Sequence, residues 1–201
     1  MNVFVRGRPI LVRAVVRLED GVSHGLVERA QQGDQDAFAR LVDDSSDRLY
    51  RVAYRILRDP DDARDATQQA LLEAWRDLPS LRDAERWEAW SYRLVVHACY
   101  RQRRRAQGGT VRLLPSDAVH DDVARAVAER DEIERGFRGL TAEHRAVVVL
   151  HHFVGLPLTE VADVLGVPAG TARSRLHHAT RRLRRSFDGG RVDAPRGEQP
   201  A

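Results

Sequence analysis

Between Gly166 and Arg185 the chain reads GVPAGTARSRLHHATRRLRR, which brings six arginines and two histidines into one short stretch. Guanidinium groups bond phosphates and the guanine edge bidentately, and serine hydroxyls and neutral imidazoles bond single base positions. This is the chemistry of recognising a polyanion, not of making or breaking bonds. At 100° per residue, Ala172, Leu176, Ala179 and Leu183 fall within about 60° of arc and must pack inward. The opposite arc carries Gly170, Ser174, His177 and Arg181, flanked by Thr171, Arg173 and His178. The candidate set facing a DNA major groove is therefore Thr171, Arg173, Ser174, His177, His178 and Arg181, with backbone amides near Thr171 available to a phosphate. Arg182, Arg184 and Arg185 lie further along, either as phosphate contacts or as a solvated helix end that complements the helix dipole.

Two other groups invite a chemical reading and fall short. His144, His151 and His152 stand at i, i+7 and i+8, a spacing from which a metal site is conceivable. No acidic cluster or HExxH pattern completes it, so neither a metal nor a cofactor is expected. Cys99 is the only cysteine and lies among apolar residues, which predicts a packed thiol and excludes a disulfide framework or CxxC zinc pattern. That usage suits a reducing, cytoplasmic setting. No apolar run approaches the ~20 residues of a spanning helix, and no export leader is visible at the start.

The elements that must position these residues follow from periodicity. The 201 residues contain no lysine, so all 33 basic residues are arginine, set against 30 acids. Their distribution matters more than the net charge of +3: residues 59–77 balance at −4 (six acids, two arginines), while 82–105 and 140–187 each balance at +4 (seven arginines, three acids). Alternating blocks point to separate surfaces for basic and acidic partners. Residues 1–25 alternate arginine with aliphatics at no steady period and read as a disordered tail. From Ala37 to Leu57 the apolar positions keep a 3.6 period with a slip near Ser45, as one long helix or two joined ones. A second helix follows RDPDD, capped by Asp61, with Trp75 on its apolar face. A third carries Trp87, Trp90 and Leu94 and ends in RQRRR. Residues 106–122 read as a linker. A helix then runs from Val123 to Phe137, another opens at Thr141, and two short helices, Leu158 to Leu165 and Ala169 to Arg185, are joined by a glycine turn as a helix-turn-helix. The fold class is all-α, with two small helical domains at 26–105 and 123–187, a linker between them and a disordered tail over 188–201.

Leu140 to Arg184, LTAEHRAVVVLHHFVGLPLTEVADVLGVPAGTARSRLHHATRRLR, closely resembles region 4 of the sigma-70 family of RNA polymerase sigma factors. DAFARLVDDSSDRLYRVAYRILRDPDDARDATQQALLEAWRDL together with RWEAWSYRLVVHACYRQRRR resembles region 2. Having only these two regions resembles the small extracytoplasmic-function type, over about residues 34–187. The resemblance implies that Asp62, Asp65, Gln68 and Gln69 form the surface for the coiled coil of the polymerase beta-prime subunit, with the beta flap as a second contact. For Asp61 and Asp62, helix capping is the competing role. It also implies that the loop from Leu81 and the helix from Arg86 capture an unpaired minus 10 base and separate the strands. Single-strand binding needs a positive groove with stacking surfaces, and Arg82, Arg86, Trp87, Tyr92, Arg93, Arg101 and Arg104 are the candidates. Trp90 shares its face with Leu94 and is expected in the core; Trp87 is open to either role. The segment Thr171 to Arg181 would read the minus 35 element. His97 stands where the family commonly has asparagine. The expected partners are core RNA polymerase, promoter DNA both duplex and single-stranded, and an anti-sigma factor, in the bacterial cytoplasm at the nucleoid. The rival reading is a helix-turn-helix regulator of duplex DNA that needs no polymerase.

Overall fold

The computed structural model describes residues 4–5, 8–9, 20–108 and 136–189. Phe4–Val5 (β1) and Arg8–Pro9 (β2) form a two-residue antiparallel pair, and the rest of the described chain is helices and turns. The helices are α1 (Asp20–Gln31), α2 (Gln35–Leu57), α3 (Pro60–Asp77), α4 (Trp87–Gly108), α5 (Ala142–Val148), α6 (Leu158–Leu165) and α7 (Ala169–Gly189). Two 3-10 turns, Leu78–Ser80 and Ala84–Arg86, join α3 to α4, and a π-turn over Val149–Val154 prolongs α5.

Several boundaries move from the sequence reading. The first helix begins at Asp20, inside the segment read as tail, and it seats Leu26, Val27 and Ala30 in the core. α2 is a single helix through Ser45, whose buried hydroxyl donates to the Leu41 carbonyl and so needs no break. α4 runs to Gly108 and α7 to Gly189, three and four residues past their expected ends at Arg105 and Arg185. Of the helix expected over 123–137, only its end at 136–137 lies within the described residues, where residues 136–138 are helical; the linker beyond 108 and the tail beyond 189 lie outside them.

The cap of α3 is Asp59, not Asp61. Its Oδ1 accepts from the amides of Asp61 and Asp62 at 3.0 and 2.9 Å, and Pro60, which has no amide hydrogen, takes the first helical position. Asp59→Ala should cost about 1 kcal/mol, read as a lower urea midpoint with an unchanged slope; no shift would mean that solvent satisfies those amides equally well.

A first apolar cluster joins α1 and the start of α2 to Ala74, Leu78 and Trp87. A second begins with Leu49, Val52 and Ile56 of α2, takes in Val95, Val96 and Cys99 of α4, and continues without a break into Val147, Leu150, Val161 and Leu165 of the second half. A third, of Leu140, Val148 and Ala179 with Phe137, Leu176 and Leu183 beside it, closes α5 onto α7. A Cβ at Gly136 would sit 2.8 Å from Ser186 Oγ and 2.9 Å from Leu183 Cδ2, so a larger residue there needs those two side chains to shift.

Candidate nucleic-acid and protein interfaces

The turn between α6 and α7 is closed by Gly166 in the left-handed conformation (φ 63°), with the Val167 amide donating to the Ala162 carbonyl at 3.0 Å. Pro168 follows, and its carbonyl accepts from the Thr171 amide at 2.9 Å. The Thr171 amide is thus engaged, and an incoming phosphate would have to use the amides of Ala169 and Gly170. Gly170 faces open space, which leaves that approach clear. Ala172 and Ala179 are fully buried and Leu176 and Leu183 half-buried, while Arg173, Ser174, His177, His178 and Arg181 all stand exposed and Thr171 half-buried. The small alanines let α7 lie close on α5 and α6, and that close packing projects the opposite face outward.

On the first half, Arg82, Arg86, Arg93 and Arg104 are exposed. Arg101 is not free: its guanidinium donates to Glu73 Oε1 at 2.5 Å, and Gln69 donates to the same oxygen at 3.0 Å. The two aromatic candidates for base stacking are withdrawn. Trp87 is 4% exposed in the first cluster, beneath α1, and Tyr92 is fully buried, with its hydroxyl donating to Glu88 Oε1 at 3.1 Å and Arg48 over its ring. Trp90, expected in the core, is half-buried against the same cluster, 5.7 Å from the Trp87 ring. Of these three aromatic side chains it alone keeps a face to solvent. His97 lies between Arg93 and Arg101 on the same side of α4; burial first, and then those two arginines, hold it below its usual value. Its Nε2 is buried without a partner.

Burial also lowers His144 and His152. All three histidines are therefore neutral when folded at pH 7 and take up protons more readily when unfolded. Stability is complete above the unfolded value near 6.5 and declines as pH falls below it. Urea midpoints measured from pH 7.5 to 5 should fall, and a variant with His97, His144 and His152 replaced by glutamine should lose most of that slope. An equal slope in both proteins would assign the acid sensitivity to other groups. Among the described residues no group of three or more histidine, cysteine or acidic side chains is placed to hold a metal ion.

The acidic face of α3 is assembled as a surface. Asp65, Gln68 and Gln69 are exposed, and half-buried Asp62 accepts from Gln102 at 2.9 Å across to α4. Beside them the structure exposes two large apolar side chains, Leu72 at 58% and Trp75 at 40%, of which periodicity misplaces Trp75. They rim a groove of about 520 Å³ between α2 and α3, floored by Phe38, Tyr50 and Leu71, with the Trp75 ring 4.8 Å from Phe38. Helical periodicity alone puts Trp75 on the inward face, yet Asp65, Gln68, Leu72 and Trp75 follow a 3-4-3 spacing that sets them on one outward stripe. That spacing was the available signal.

Comparison with known proteins places this architecture. The family model described as Sigma-70 region 2 matches residues 41–108, and that described as Sigma-70, region 4 matches 136–185. The ECF RNA polymerase sigma factor SigM of Mycobacterium tuberculosis is 34% identical over 153 residues, covering 76% of this chain and 78% of its own. The chain belongs to the sigma-70 family, among its ECF sigma factors. SigW of Bacillus subtilis, also an ECF sigma factor, is 25% identical over 176 residues, 80% of this chain and 94% of SigW. In fold, the chain is similar to the Bartonella quintana sigma factor RpoE, solved in complex with the anti-sigma factor NepR, at a TM-score of 0.62 and 24% identity over 78% of this chain and 98% of that one. Sigma factors are transcription initiation factors that direct RNA polymerase to promoters. The first half, α1 to α4, contains region 2, and the second, α5 to α7, region 4.

Proposed function

We propose that this sigma factor binds core RNA polymerase through the outward stripe of α3, reads the minus 35 element with the exposed face of α7, and holds the melted minus 10 strand along α4. The observation that carries this reading is the segregation on α7: Arg173, Ser174, His177, His178 and Arg181 stand in solvent while Ala172 and Ala179, on the other side of the same helix, are buried. A helix seated by small residues and bare on its polar side is shaped for a groove. On α4 the arginines Arg93 and Arg104, with Arg82 and Arg86 before them and Trp90 in place of Trp87 and Tyr92, supply positive charge and one stacking face. On α3 the acids and glutamines around Leu72 and Trp75 offer a polar rim and an apolar centre, the anatomy of a protein interface. The beta-prime coiled coil is the partner assigned to that stripe, the beta flap a second contact, and an anti-sigma factor a competitor for the same surfaces. The protein carries out no bond chemistry itself; it positions polymerase and DNA, in the cytoplasm at the nucleoid. No helix among the described residues is long and apolar enough to cross a membrane.

The test is run-off transcription from a genomic promoter library with core polymerase, adding or withholding this protein. Discrete protein-dependent starts that share two spaced upstream elements are expected. Duplex binding without initiation, on a core active with another sigma factor, would instead favour the helix-turn-helix regulator.

A further inference from the structure

Arg145 is enclosed without a counterion at the seam where α5 packs on α2 and α4. It is 5% exposed, its Nε is buried with no hydrogen-bond partner, and none of the ion pairs among the described residues includes it. Its Nη nitrogens are not sealed in this way, so solvent reaches the guanidinium from that end. The charges that act on it most are of its own sign: Arg103, half-buried on α4, and Arg58, the cap of α2. Burial first, and then those two arginines, push its guanidinium down to about 10. Glu143 favours the charged form more weakly and forms no ion pair with it. A buried, unpaired cation beside like charges is costly, and a bound ion is one of the few things that removes the cost.

Arg58 is held in position by backbone and rings together. It ends α2 in the left-handed conformation (φ 64°), a region that favours glycine, and its guanidinium lies 5.4 and 5.9 Å from the centres of the Tyr54 and Phe137 rings. Guanidinium groups suit phosphate, which each can meet through two parallel N–H donors. Access and charge then fix the ligand. An opening at one end of a residue that is 5% exposed admits a compact anion and keeps the rest of a larger molecule outside. The adjoining charges of Arg145 and Arg103 are balanced by a dianion, and a phosphate monoester carries about −1.5 to −2 at pH 7. We propose that Arg145, Arg103 and Arg58 form a binding site for a tetrahedral dianion, either inorganic phosphate or the phosphate of a small phosphomonoester. None of the three belongs to the surfaces proposed above for polymerase or promoter DNA, so the site is independent of that reading.

The experiment adds sodium phosphate to the full chain at pH 7.5, with sodium chloride at matched ionic strength as the reference, and reads the heat of binding and the urea midpoint. A ligand that binds the folded chain alone raises the midpoint with its concentration. A saturable heat is expected with phosphate, and a midpoint that climbs with phosphate and not with chloride. Arg145→Met, which keeps an apolar stem and removes the unpaired charge, should match or exceed the wild-type midpoint without phosphate and gain nothing when it is added. Arg103→Gln, at a half-buried position outside the apolar clusters, should weaken phosphate binding roughly tenfold. It keeps the test decisive should Arg145→Met fail to fold. Inorganic phosphate and a nucleoside 5′-monophosphate are titrated separately, and the tighter binder tells the free ion from the ester. An equal midpoint gain in wild type and both variants would mark a general salt effect and overturn the site. The absence of saturable heat with either ligand would overturn it as well.

Discussion

Leu72→Asp combined with Trp75→Ala should abolish measurable binding to core RNA polymerase while leaving the helical content and urea midpoint of the isolated protein close to wild type. The two side chains are the large apolar groups most exposed among the described residues, so the free protein gains little from them. At an interface, an aromatic anchored in a groove contributes most of what a few residues contribute: truncation costs about 2 to 4 kcal/mol, and a carboxylate facing an apolar partner adds to it. Asp65→Arg on the same stripe should act more weakly and in a salt-dependent way, since a rim charge chiefly steers association. Titration of labelled core polymerase reads both. Wild-type affinity in the Leu72 and Trp75 variant would move the polymerase surface off α3 altogether.

The second large effect is expected on α7. Arg173→Ala should weaken binding to a minus 35 duplex by about 1 to 3 kcal/mol for the lost bidentate contact and relax base preference at one position, with core affinity unchanged. Arg181→Ala, on the same exposed arc two turns later, should add to it if each arginine meets its own base or phosphate. Competition binding against sequence-shuffled duplexes separates the two cases: lost preference marks a base contact, and uniformly weaker binding with a shallower salt dependence marks a phosphate contact. If Arg173→Ala binds every duplex as tightly as wild type, Arg173 is not in the groove.

How much of this was readable beforehand depended on whether a residue's environment is set by its own helix or by another. The two faces of α7 were legible because Ala172, Leu176, Ala179 and Leu183 recur at the helical period and small residues at such positions admit few alternatives. The helix-turn-helix was legible for the same reason, its turn being local chemistry around Gly166. Trp87 and Tyr92 were not. An aromatic near arginines serves equally as a stacking platform or as core, and the choice is made by α1 and Arg48, which are distant in sequence. α1 was itself hidden, because arginine alternating with aliphatics before it obscures the period, and its three buried residues are explained by partners on α2 and around Trp87. Trp75 misled in the opposite direction: it adjoins the buried Ala74, and one residue further round the helix, about 100°, puts it in solvent. The seam between the halves was illegible on principle, since Val147 or Leu150 would be equally content against any apolar face.

Cys99 has a consequence for oxidation. It is the only cysteine in the chain, it is fully buried, and burial above all pushes its thiol up to about 12. Reaction with peroxide or with a disulfide proceeds through an accessible thiolate, and this sulfur offers neither the anion nor the access. The folded protein thus offers an oxidant no reactive thiolate at its one cysteine.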